Sequence, residues 1–134
     1  MATQPFDWSG YFKLAEELAK RGDEAATRSA VSRAYYYVYH LALQRAQANG
    51  FRTIPGEGTH KQLWRNYSAS PEHDCQKLAE IATRLKEKRE RADYQQTYNR
   101  IADEIPGVLT DAQNFAERLQ RLNIRLPNPT SVRH

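Results

Sequence analysis

The stretch Ala30 to Leu41, AVSRAYYYVYHL, lies inside a helix-period run from Glu24 to Ala48 that no proline or glycine interrupts. Val31, Ala34, Tyr35, Val38, Leu41, Ala42 and Arg45 recur at intervals of three and four, the spacing of one helix face. Arg33, Tyr36, Tyr37, His40 and Gln44 form a second face. Arg33 and His40 are two turns apart, about 10 Å along the axis, and point nearly the same way. A helix of this length, apolar on one face and aromatic and basic on another, needs two neighbours. One is its own bundle; the other is a site or a partner.

The rest of the chain supplies the bundle. A first helix is predicted over Trp8 to Lys20, with the stripe Tyr11, Leu14, Ala15 and Leu18 and with Asp7 or Ser9 as N-cap. Arg21-Gly22-Asp23 ends it, because Gly22 can take the left-handed C-terminal position and Asp23 can cap the next helix. So short a turn makes the two helices antiparallel neighbours. After a loop from Phe51 to Gly58, Thr59 opens a short helix, His60 to about Tyr67, and Thr59 and Gln62 have the capping-box spacing. Ser70 as N-cap and Pro71 at the first helical position open a fourth helix with the stripe Leu78, Ile81, Ala82, Leu85 and Ala92. Tyr94 to Asp103 is polar and reads equally as helix extension or loop. A last helix, Glu104 to Leu122, carries Val108, Leu109, Ala112, Phe115, Ala116, Leu119 and Leu122. No segment alternates with period two. The expected fold class is all-α, a four-to-five-helix bundle over residues 7–122, followed by a flexible tail over 123–134.

Composition narrows the setting. The 134 residues suit one domain, and 40% hydrophobic with 27% charged residues is an ordinary balance for a water-soluble chain. The single Cys75 excludes an intramolecular disulfide framework and favours a reducing compartment. The first residues have neither a basic nor an apolar signal region, and no apolar run reaches a membrane span. No membrane partner and a cytoplasmic location are therefore expected. A net charge of +4 permits nucleic-acid binding without demanding it, since acids are interleaved with the bases.

Chemistry concentrates at the end of helix four, Arg84-Leu85-Lys86-Glu87-Lys88-Arg89-Glu90-Arg91-Ala92-Asp93-Tyr94. Its basic residues, Lys88, Arg89 and Arg91 among them, can grip phosphates. The plainer reading is a solvated face, because Glu80 with Arg84 and Glu87 with Arg91 are acid-to-base pairs at i,i+4. Asp93 can orient a neighbouring guanidinium, and Tyr94 offers a hydroxyl beside it. His60 opens the short helix before Trp64, which reads as core; His60 itself reads as a surface residue or a polar site residue, the surface reading being preferred. The four histidines lack i,i+4 partners, so no metal site is expected, and no glycine-rich phosphate loop or other cofactor pattern is present.

Three segments in order, Ser32-Arg33-Ala34-Tyr35-Tyr36-Tyr37-Val38-Tyr39-His40, His60-Lys61-Gln62-Leu63-Trp64 and Arg89-Glu90-Arg91-Ala92-Asp93-Tyr94, resemble the HEPN domain family, in particular its small stand-alone prokaryotic members. The resemblance spans roughly Asp7 to Leu122. It implies a helical bundle that dimerises with a cleft at the dimer interface. It also implies action on RNA as a metal-independent ribonuclease, in which an Arg-x(4–6)-His motif supplies a His for the 2′-hydroxyl attack and an Arg for the charged phosphorane. Many such proteins are toxins encoded beside a minimal nucleotidyltransferase antitoxin, and some are silenced by adenylylation of a Tyr next to the motif. Carried over position by position, the resemblance marks Arg89, Arg91 and Asp93 as catalytic candidates and Tyr94 as the modification candidate. The family pattern departs at Ala92, which stands where the motif His belongs. Arg33 to His40 is the one Arg-x6-His string in the chain; it lies on helix two, which lines the interface in such folds, so Arg33 and His40 are catalytic candidates as well. Tyr36, Tyr37, His60 and Lys88 are candidate binding residues.

Two functional classes follow. One is a toxin-like or defence-type HEPN protein acting on RNA under a nucleotidyltransferase partner. The other is a non-catalytic HEPN dimer that binds nucleotide or RNA, or scaffolds a partner protein. A helical DNA reader is disfavoured, because the turn at Gly22 precedes an unusually long, Tyr-rich helix rather than a recognition helix. The tyrosines of helix two also admit a plain packing role, strongest for Tyr35.

Overall fold

A computed structural model describes residues 4–122. Five helices follow in order: α1 Ser9–Arg21, α2 Glu24–Ala48, α3 Thr59–Ser68, α4 His73–Tyr94 and α5 Ile101–Arg121. No strand occurs among the described residues. The all-α bundle expected from periodicity is present. The tail expected beyond residue 122 lies outside the described residues.

Helix α2 is the axis, touching each of the other four helices. Its start and the turn before it follow from local chemistry. Gly22 takes φ 81°, and the Asp23 carboxylate accepts the Ala26 amide at 3.1 Å. Small residues Ala30, Ala34, Ala42 and Ala46 are buried along α2 and let its neighbours approach closely, while Tyr35, Val31 and Val38 fill the space between. Leu63 and Tyr67 from α3, Leu78 and Leu85 from α4, and Val108 and Phe115 from α5 complete one core. The Tyr67 hydroxyl donates to the Ala42 carbonyl at 2.8 Å, so its one polar atom is matched inside that core.

Two arginines of α2 tie down helices far away in sequence. Arg28 donates to the carbonyls of Ala92, Gln95 and Gln96 at the end of α4. Arg45 donates to the carbonyls of Leu119 and Leu122 at the end of α5. Each places a cation where a helix leaves carbonyls without intrahelical partners. Because Arg28 is near the start of α2 and Arg45 near its end, α4 runs antiparallel to α2 and α5 runs parallel to it.

Three capping expectations fail, each for a physical reason, and the start of α5 moves from Glu104 to Ile101. Neither Asp7 nor Ser9 is the N-cap of α1; Trp8 holds that position, and the Asp7 carboxylate accepts from both the amide and hydroxyl of Ser9. Gly58, not Thr59, precedes α3, and Gln62 is drawn away from any capping box. Its buried amide bonds both the N–H and the carbonyl of Ile54 and the carbonyl of Glu57, which fastens the 51–58 loop to α3. Ser70 does not cap α4. Its hydroxyl accepts the Glu72 amide, forming a turn that carries Pro71, and α4 begins at His73. The polar 94–103 segment divides: α4 stops at Tyr94, a short loop follows, and α5 starts at Ile101 with Pro106 inside it. Pro106 is tolerated one turn in because it withdraws a donor from the exposed Ala102.

Candidate functional site

Near the N-terminus of α3 and the C-terminal turns of α4, against the middle of α2, polar and aromatic groups converge. Arg89 comes from α4. It is 7% exposed, uncommon burial for an arginine. Its guanidinium lies over the rings of Tyr35 and Tyr36, 5.3 and 5.4 Å from their centroids. One turn on, the Asp93 carboxylate is 3.6 Å from Nη1. Asp93 also accepts from the Ser32 hydroxyl at 3.3 Å, so α2 fixes the acid that fixes the base. The Nε of Arg89 is sealed from solvent and has no acceptor among the described residues. A buried cation with one partly exposed counter-ion and one unmatched donor is paired in charge but incompletely hydrogen-bonded.

His60, at the start of α3, is the second centre. Its ring stacks on Tyr39 at 4.0 Å and meets the edge of Tyr36 at 5.7 Å. The Tyr35 hydroxyl lies 2.6 Å from His60 Nδ1, and Trp64 Nε1 donates to that same hydroxyl at 3.0 Å. Burial, aided by the nearby Arg89 charge, pushes His60 down to about 4, so it is neutral at physiological pH. Burial raises the Tyr35 phenol above its ordinary value, keeping it a donor.

The other helix-two candidates face a different neighbour. Trp8 stacks flat on His40 at 3.4 Å, and Arg33 lies over the Tyr11 ring at 4.9 Å. Phe6 packs edge-on against Trp8 and Tyr11 and is 56% exposed. Arg33 and His40 are thus held by the aromatics of α1 and the segment before it. Tyr36, 6.4 Å from His40, links that cluster to the Arg89 centre. Burial lowers the His40 pKa. Tyr37 turns away, packing on Phe12 and lining a groove between α2 and α5 with Leu41 and Ala116.

The end of α4 is divided in the same way. Arg89 and Asp93 face α2, whereas Arg91 and Tyr94 face outward, Tyr94 being 78% exposed. Arg91 lies beside Tyr98. Lys88 is half-buried. The fold therefore brings together Arg89, Asp93, Tyr36 and His60; it sets Arg33 and His40 at the margin, and Tyr37, Arg91 and Tyr94 apart. Ser32, Tyr35, Tyr39 and Trp64 join the centre although none was a site candidate, Tyr35 and Trp64 having read as packing residues. Their signal was spacing: Ser32, Tyr35 and Tyr39 share one α2 face at three and four residues, overlapping the stripe read as core. Among the described residues no three His, Cys, Asp or Glu side chains group to hold a metal ion, and no helix is long and apolar enough to cross a membrane.

Chemically, this arrangement offers a fixed positive charge, a neutral imidazole and partly open aromatic faces. Such a set suits a phosphate with an attached planar base. The chain matches no family model, no curated protein and no solved structure.

Proposed function

We propose that this chain is a HEPN-type protein that acts on RNA through the Arg89 centre, as a toxin-like or defence-type component under a nucleotidyltransferase partner. The observation that carries the reading is the buried guanidinium of Arg89, paired with Asp93, left with one unbonded donor and framed by Tyr36 and His60. A phosphate would add acceptors beside a guanidinium whose one charge partner is Asp93, and the half-buried faces of Tyr36 and His60 would receive a base. The outward Tyr94 is accessible to a modifying enzyme, and a nucleotide attached there adds negative charge on the Arg91 side of the helix end. The protein pairs with a second copy, and its location is cytoplasmic.

A second reading, a HEPN dimer that binds RNA or nucleotide without cutting it, is favoured by one specific feature. The histidine in the centre is His60, and its Nδ1 is occupied by a tyrosine hydroxyl, while Ala92 stands at the motif position. The two readings separate in one assay. Purified protein is incubated with RNA in chelator, beside Arg89→Ala and His40→Ala variants, and both cleavage and retention of RNA are scored. Cleavage lost in Arg89→Ala supports the ribonuclease. Retention without cleavage, weakened in Arg89→Ala, supports the binding module. Neither cleavage nor retention in the unaltered protein refutes the RNA reading. Co-expression with a neighbouring nucleotidyltransferase, followed by mass spectrometry, tests Tyr94: an unmodified tyrosine beside an active partner enzyme removes the regulatory part.

A further inference from the structure

The hydrogen-bond chain behind His60 has only one consistent proton arrangement. An indole N–H is a donor and never an acceptor, so Trp64 Nε1 gives its proton toward the Tyr35 oxygen at 3.0 Å. The Tyr35 hydroxyl then has one proton of its own to place. Tyr35 is fully buried, and the acceptor within reach is His60 Nδ1 at 2.6 Å. Nδ1 must therefore be bare, and the ring proton sits on Nε2. That nitrogen makes no hydrogen bond to the described residues and is not sealed among the buried unmatched atoms. Stacking on Tyr39 and the edge of Tyr36 fix the ring plane, so the Nε2–H bond has a set direction.

We propose that His60 serves this site as a fixed neutral hydrogen-bond donor through Nε2–H, with Tyr35 and Trp64 as the positioning residues that hold that tautomer, and that the group it meets is a phosphate oxygen of single-stranded RNA held beside Arg89. The inference rests on the RNA-facing reading above. It assigns His60 the opposite role to a general base, which needs a bare nitrogen facing the substrate. Protonation of Nδ1 would turn the Tyr35 proton back on itself, leaving a buried hydroxyl with two incoming donors and no acceptor. Burial opposes a positive imidazole first, and Arg89 and Lys86 of α4 and His40 of α2 act in the same direction; among the acids of the described residues Glu90 favours one.

Long-range proton–nitrogen correlation spectra of the full chain at neutral pH read the tautomer directly, with no ligand required. Expected are a bare Nδ1 and a protonated Nε2 for His60, replaced by a tautomer mixture in Tyr35→Phe. A protonated Nδ1, or an imidazolium, in the unaltered protein overturns the relay whatever RNA does. Binding of a short fluorescein-labelled polyuridine then tests the ligand. His60→Ala should weaken it roughly tenfold, the loss of one hydrogen bond to a charged group. His60→Gln, whose amide can accept from Tyr35 and donate into the site, should stay within about threefold of the unaltered protein. Gln binding as poorly as Ala overturns the donor role. Polyuridine that fails to bind at all overturns the phosphate assignment and the RNA reading together, while the spectra still decide the tautomer.

Discussion

Replacing Arg28 with alanine should cost this fold about 2–3 kcal/mol, an unusually large effect for an arginine whose side chain is 18% exposed. The guanidinium reaches the Ala92 carbonyl at 3.0 Å, the Gln95 carbonyl at 2.6 Å and the Gln96 carbonyl at 3.3 Å. Hydrogen bonds to a charged donor contribute roughly 1.5–3 kcal/mol each when the acceptor has no alternative. Ala92 is buried, so its carbonyl is counted in full; Gln95 and Gln96 are exposed and regain water on loss of the arginine. The cation also faces the negative end of α4, which adds about 0.3–1 kcal/mol. The ion pair with the exposed Glu24 adds a few tenths at most. For a domain of this size the total corresponds to a fall in Tm of roughly 8–12 °C. Arg28→Lys keeps the charge but loses the fork that spans three carbonyls, and should recover less than half of the loss. Thermal unfolding followed by circular dichroism, with hydrogen exchange at residues 95–100, checks both. An alanine variant within about 2 °C of the unaltered protein, or a lysine variant equal to it, refutes the capping argument.

Other perturbations probe other layers. Phe115→Ala, in the fully buried centre of α5, should cost about 3–5 kcal/mol in urea unfolding. Tyr67→Phe removes one buried hydrogen bond while the Ala42 carbonyl keeps its place in the α2 ladder, and should cost about 0.5–1.5 kcal/mol by the same measurement. Tyr98→Phe should be nearly neutral: the buried hydroxyl sits beside Glu104 and Arg91 without a well-formed hydrogen bond, and burial with that carboxylate pushes its pKa up to about 12. A large loss on its removal would show a bond to Glu104. The depressed His60 pKa makes stability pH-dependent with a definite sign. The unfolded chain takes up the proton near 6.5 and the folded one near 4, so the contribution is full above 6.5 and lost as pH falls toward 4. In His60→Gln the unfolding free energy should lose that slope between pH 6.5 and 4; an unchanged slope would assign it to other groups.

Periodicity was a good guide wherever burial decides structure. The bounds of α2 were readable because Asp23 and Asn49-Gly50 bracket one unbroken pattern. Ile101 and Ile105 continue the α5 stripe at the right spacing ahead of Val108, Ala112, Phe115 and Leu119, but the polar residues around Ile101 masked the first turn and moved the expected start to Glu104. Caps were less legible, because a polar side chain near a helix start has several partners within reach. Gln62 satisfied a loop and Ser70 a turn, and nothing in either hexapeptide tells these outcomes from capping. The candidate site was half visible. Arg89, Asp93, Tyr36 and His60 could be named from residue type, yet their assembly depends on which way each helix is rotated. His60 read as a surface residue because its burial comes from Tyr39 and Tyr35, two turns of a helix distant in sequence. Arg33 and His40 shared a face as expected, but of the aromatics that occupy it only Tyr11 belongs to a periodic stripe; Trp8 lies ahead of α1, where periodicity says nothing.

The two arginines of α2 also bear on the order of folding events. The α1–α2 hairpin closes a turn of a few residues and can form early, because little chain entropy opposes it. The contacts of Arg28 with the end of α4 span 64 to 68 residues, and those of Arg45 with the end of α5 span 74 and 77. Neither can form until the distant helices have docked, so low φ values are expected for Arg28→Ala and Arg45→Ala; folding rates that fall with stability would place these contacts in the transition state instead. Low-φ interactions leave the folding rate nearly untouched and act on the rate of escape. On that expectation, two side chains on one helix act as late-closing fasteners, and the lifetime of the folded state, more than the speed of reaching it, is what their removal should shorten.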